Sequence, residues 1–68
     1  MVDVTLLKSE MVKHGYTQEK LAKRLGITPR TLSNRLKKRE FLSSEIGIMI
    51  QCFQLEDPMP IFFKRDMS

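Results

Sequence analysis

TQEKLAKRLGITPRTLSNRLKKR, residues 17–39, reads as two short helices with a tight turn between them. The Thr17 hydroxyl can accept from a backbone N–H left unpaired at a helix start. Leu21, Ala22 and Leu25 then mark a narrow apolar face. Gly26 stops that helix, because glycine enters the left-handed conformation without a Cβ penalty. Only Ile27 separates it from Thr28, a second capping residue, and Pro29 suits a first helical position where no N–H is needed. The following helix is predicted over about 29–38. Two helices joined by a three-to-four-residue turn containing Gly form a helix-turn-helix. Ala22 is small enough for close approach of the two helices, and Ile27 fills the angle. Leu21 and Leu25 secure the first helix, Leu32 and Leu36 the second.

Charge is concentrated on the same stretch. Lys20, Lys23, Arg24, Arg30, Arg35, Lys37, Lys38 and Arg39 are basic, and no Asp or Glu interrupts them. The acids lie outside: Asp3, Glu10 and Glu19 before, and Glu40, Glu45, Glu56, Asp57 and Asp66 after. The formal net charge is +4. A positive middle between acidic ends implies an oriented field and a polyanionic partner.

At about 100° per residue, Pro29, Leu32 and Leu36 share the inward face of the second helix of the pair. Arg30, Ser33, Asn34 and Lys37 share the outward one. Arg can fork onto guanine O6 and N7, and Asn onto adenine N6 and N7, in the major groove of duplex DNA. Those four are therefore expected to face bases. Gln18 opens a helix whose free N–H groups and dipole favour an anion, so it is expected at a phosphate. Lys38 and Arg39 are placed to grip the backbone where the chain leaves the groove. Thr28 and Thr31 can reach either phosphate or base. Lys20, Lys23 and Arg24 are expected to supply long-range field rather than contact.

The rest of the chain supplies the frame. A first helix is predicted from about Val4 to His14, capped by Asp3 or Thr5 and stopped by Gly15, with Leu7 and Met11 facing a core. Tyr16 and Leu21 can form a hydrophobic staple. A fourth helix carries Ile46, Met49, Ile50 and Phe53 at i, i+3, i+4 and i+7, with Ser43 or Ser44 as its cap and Phe41 as a core plug in the loop before it. From Asp57 to Ser68 two readings stay open. Asp57 can cap a short helix carrying Ile61, Phe62 and Phe63, or Pro60 can hold the segment extended. No strand pattern appears, so the expected class is all-α, one domain over residues 1–68 with its motif at 17–39.

Several classes of function are disfavoured. One cysteine, Cys52, permits no intrachain disulfide, and with the single His14 it makes no metal cluster. Cys52 is expected half-buried or interfacial, His14 exposed near a helix end, and the five methionines in the core. No run approaches the roughly 20 apolar residues of a membrane span, and Met1 to Lys8 lacks the features of a signal peptide. A soluble cytoplasmic protein without cofactor, small-molecule ligand or enzymatic activity is expected.

Thr17-Gln18, Ala22…Gly26-Ile27…Leu32, GITPRTLSNRL, Phe41 before Ser44-Glu45-Ile46, and the closing Ile61-Phe62-Phe63 together resemble the Cro/CI-type (XRE-like) helix-turn-helix family. The likeness is greatest to short phage and prophage regulators of Gram-positive bacteria, and it covers about residues 5–63. It implies a four- or five-helix lambda-repressor-like domain that binds an operator, commonly as a dimer, and controls transcription. By position it places DNA contacts at Gln18, Thr28, Pro29, Arg30, Ser33, Asn34 and Lys37. Two departures stand out. Arg35 occupies a late position that is usually aliphatic, with Leu36 taking the apolar role. Leu42 stands where many relatives pair a Thr with the residue equivalent to Glu45 in a capping box. Because the motif core is already provided for, the segment 46–63, with Ile48, Cys52 and a leftover C-terminal aromatic, is the expected homodimer contact. The competing reading is a protein-interaction module, such as a phage antirepressor, that keeps the helix-turn-helix fold.

Overall fold

Each of the first four helices ends in the same way, with a residue in the left-handed region closed by a backbone bond five residues long. A computed structural model describes residues 2–63. It contains α1 (Val4–Lys13), α2 (Gln18–Leu25), α3 (Pro29–Lys38), α4 (Ser43–Cys52) and α5 (Met59–Phe62), and no strand among the described residues. The left-handed residues are Gly15, Gly26, Arg39 and Gln54, with φ of 72°, 74°, 57° and 52°. The closing bonds run from the N–H of Tyr16 to Met11, Ile27 to Ala22, Glu40 to Arg35 and Leu55 to Ile50, at 2.8 to 3.2 Å. They occupy carbonyls that a helix end otherwise leaves unpaired.

The starts are as specific as the stops. Asp3 Oδ1 accepts from Leu6 N at 3.1 Å, so Asp3 rather than Thr5 caps α1. Thr17 Oγ1 accepts from Lys20 N and Thr28 Oγ1 from Thr31 N, each at 3.1 Å. The expected caps at Ser43 or Ser44 are not used. Both lie inside α4, whose cap position is Leu42. Leucine offers no acceptor, so half a capping box takes its place: Glu45 Oε1 accepts from Leu42 N at 2.8 Å. At the C-terminal end, Asp57 Oδ1 accepts from Met59 N at 3.1 Å and starts the short helix α5, which settles that segment as helical as far as Phe62.

The five helices converge on one core. Leu7 and Met11 enter it from α1, Leu21, Ala22 and Leu25 from α2, and Leu32 and Leu36 from α3. Met49 and Phe53 come from the end of α4, and Ile61 and Phe62 from α5. Ile46, Ile50 and Phe41 flank it half-buried. So do Ile48 and Cys52, which the sequence pattern alone places on a free neighbouring face. Phe53 is the hub. The Tyr16 ring meets it edge-on at 5.5 Å, and the His14 ring lies tilted against it at 5.9 Å.

His14 is thus half-buried rather than exposed. Its Nε2 lies 3.4 Å from Glu10 Oε2 without hydrogen-bond alignment. Among the methionines, Met11 and Met49 are core, whereas Met59 is exposed; Met1 and Met67 lie outside the described residues. The N-terminal segment ties the ends together. Val2 N donates to Arg39 O at 3.1 Å, and Asp3 N to Ile61 O at 2.7 Å, so it bridges the exit of α3 and α5.

Candidate nucleic-acid interface

α3 presents its polar stripe to solvent because its apolar residues are fixed from behind. Leu32 and Leu36 are buried one turn apart against α2. With both anchored, the 100° step turns Arg30, Ser33, Asn34 and Lys37 into one outward arc of about 100°. Arg30, Asn34 and Lys37 are exposed and Ser33 is half-buried at the edge. Lys38 and Arg39 extend the exposed line past the helix end, and Gln18 is exposed at the first position of α2. Among the described residues, none of Arg30, Lys37, Lys38 and Arg39 lies within ion-pair distance of a carboxylate. Their charge is therefore free to act on a polyanion.

The two threonines are less free than their exposure implies. Thr28 Oγ1 accepts from Thr31 N and donates to Thr31 Oγ1 at 3.0 Å. Thr28 thus has its hydroxyl proton engaged, while the Thr31 hydroxyl retains its own. Pro29, expected on the inward face with Leu32 and Leu36, is instead exposed at the first position of α3, ahead of the turn that packs; carrying no N–H, it offers shape and a methylene surface there. Lys20, Lys23 and Arg24 occupy the exposed face of α2, beside Tyr16 in an open trough.

Arg35 is a member of the basic stretch whose partner the sequence does not reveal. It turns inward at the side of α3. Its Nε donates to Glu45 Oε1 at 3.0 Å and to Oε2 at 3.3 Å, and its Nη2 to Oε2 at 3.3 Å. Glu45 is 3% exposed and is the one buried charged side chain among the described residues. The unusual cation in place of an aliphatic residue is the available signal. An acid ten residues away across a loop has no helical spacing to reveal the pairing.

The family model that matches this chain describes the bacterial regulatory protein, Fis family, and it covers residues 5–38. That is half of the chain, from the first turn of α1 to the last residue of α3. The chain belongs to this family. It is a bacterial helix-turn-helix DNA-binding regulator, and the match contains α2 and α3, the two helices of the motif, together with nearly all of α1. No curated protein and no solved structure matches the chain. Among the described residues no helix is long and apolar enough to cross a membrane.

Proposed function

We propose that this regulator binds a specific duplex sequence with α3 in the major groove, as a Cro/CI-type transcriptional regulator of the short phage kind. The observation that carries this reading is the outward face of α3: a contiguous polar stripe, cationic at both ends, held out by buried leucines on the opposite side. Arg30, Ser33, Asn34 and Lys37 take the bases, and Gln18, Lys38 and Arg39 take phosphates. Thr31 and Pro29 line the entry. Thr28 serves chiefly as the cap that fixes the start of the reading helix.

The Cro/CI-type assignment is supported by the C-terminal part of the fold. α4 packs back on α2, and α5 closes the core, giving five helices where this resemblance implies four or five. One such unit, acting in the cytoplasm of a bacterium or phage-infected host, covers only a few base pairs. A second copy on a half-site one helical turn away, about 34 Å, gives operator-length recognition. For that homodimer the exposed Met59 (54%) and Phe63 (47%) at the end of the 46–63 segment are the contact. Ile61 and Phe62, by contrast, are already used inside the core.

The test is selection of duplexes from a random pool, followed by sequencing. Enrichment of one motif in inverted repeats, with half-sites about a helical turn apart, supports operator binding by a dimer. Weak, salt-labile and sequence-independent binding would overturn it in favour of an interaction module such as an antirepressor.

A further inference from the structure

We infer that Arg35 is a positioning residue for base recognition: its fork onto Glu45 fixes the roll of α3, so it governs sequence discrimination without touching DNA. The inference rests on the proposed reading of α3 as the recognition helix. Of the cations between residues 20 and 39, Arg35 is the one committed to a carboxylate, and its side chain is about one-third exposed. A carboxylate buried as deeply as that of Glu45 carries a large desolvation cost, which only close pairing and further hydrogen bonds offset. Glu45 has both, with three contacts from Arg35 and one from Leu42 N. One side chain therefore joins the side of α3 to the first turn of α4 across the 39–42 loop.

The geometry explains what that joint does. Leu32 and Leu36 lie one above the other on a single face, so they resist lifting of α3 but resist rolling about its axis only weakly. A fork reaching sideways to a fixed carboxylate resists rolling, because its hydrogen bonds are directional. Side-chain tips stand about 6 Å from a helix axis. A roll of about 20° would therefore displace the Arg30 and Asn34 tips by about 2 Å, against a working tolerance of about 0.5 Å for a preorganised contact. Phosphate contacts by flexible Lys38 and Arg39 side chains would survive such a roll, whereas base-edge contacts would not.

Binding of the full chain to the selected duplex and to random duplex, over a range of salt, tests this with Arg35→Met, Glu45→Gln and the double variant. Each single change should cut the random-to-selected Kd ratio by about tenfold or more and leave the salt slope unchanged. The double change should do no further harm. A slope lower by about one in Arg35→Met, with discrimination kept, would mean that Arg35 neutralises a phosphate and would overturn the inference. Because removing a buried partner can unfold a small domain, the wild-type protein gives an independent reading by NMR. The Arg35 Nε–H signal should stay in place when selected duplex is added, while that of Arg30 moves; an Arg35 signal moving with Arg30 would also overturn it. If wild-type protein does not discriminate between duplexes at all, the proposed function fails first and this inference falls with it.

Discussion

Arg39→Gly should make the protein more stable and a weaker DNA binder at once. Arg39 closes α3 with φ of 57° and ψ of 35°, a conformation in which an L-residue brings its Cβ against the following carbonyl. That conformation costs about 1–2 kcal/mol relative to glycine. Glycine in turn loses about 0.5–1 kcal/mol more backbone entropy on folding. The difference leaves about 0–1.5 kcal/mol in favour of the variant, with a midpoint of about 0.75 kcal/mol, and for a domain of this size each kcal/mol moves Tm by about 4–8 °C. A rise of about 3–6 °C is expected at that midpoint. The backbone bonds at this position, from Arg39 N to Leu36 O and from Val2 N to Arg39 O, survive the change because neither uses the side chain.

Gln54→Gly is the matched control. Gln54 stops α4 at φ of 52° with the same five-residue closing bond, but it is neutral and outside the proposed interface. It should raise Tm similarly by calorimetry or circular dichroism and leave DNA binding unchanged. Arg39→Gly alone should weaken selected and random duplex by the same factor and lower the salt slope by about one. A fall in Tm for both variants would refute the strain reasoning. A rise in Tm for Arg39→Gly with no change in slope would remove Arg39 from the phosphate contacts.

Asn34→Ala should cost about 1–3 kcal/mol on the selected duplex and relax preference at one base pair, read by competition against single-base variants; full affinity with unchanged preference would remove Asn34 from the readers. Lys38→Ala should weaken specific and random duplex alike and reduce the slope by about one, and an effect confined to the specific site would contradict a phosphate role. Phe62→Asp should unfold the domain rather than dissociate a dimer. At 3% exposure the loss exceeds the about 3–5 kcal/mol of a Phe truncation, against a total stability of about 3–10 kcal/mol for a chain this short. Phe63→Asp, at an exposed position, should stay folded by circular dichroism and shift sedimentation toward monomer; an unchanged sedimentation profile would exclude Phe63 from the dimer contact.

The motif is legible in the sequence because its signals are local. Thr17, Gly26, Thr28 and Pro29 each declare a boundary through their own backbone chemistry, and the leucine spacing alone shows which side of α3 is buried. The end of α3 at about residue 38 is legible, but the left-handed conformations at Arg39 and Gln54 are not. Nothing in an arginine or a glutamine announces a positive φ, which tertiary context imposes here. The start of α4 escapes the sequence for a related reason. Ser43 and Ser44 are good caps by type, but Glu45 reaches back from the third helical position to Leu42 N, and the paired Arg35 holds it there. Among the C-terminal aromatics one is left over as expected, but composition does not say which. A marginal core of this size takes in Ile61 and Phe62 and leaves only Phe63 outside.

Two left-handed residues that are not glycine pose a question of cause. Gln54 shows that such a position can persist in this fold without any charge to justify it, so strain by itself marks no functional site. Arg39 differs in its surroundings. It follows Lys37 and Lys38 on the exposed end of α3, and its carbonyl receives Val2 N. Glycine there would leave the same helix stop and remove a cation from the exposed end of α3. Arg35 makes the opposite use of the same residue type, giving up its charge to a buried carboxylate and holding the helix in place. The basic stretch therefore divides physically. In the proposed function, cations free of carboxylates set how strongly a polyanion is held, and the one paired cation sets how accurately α3 is presented. Overall affinity and sequence preference should accordingly respond to different arginines.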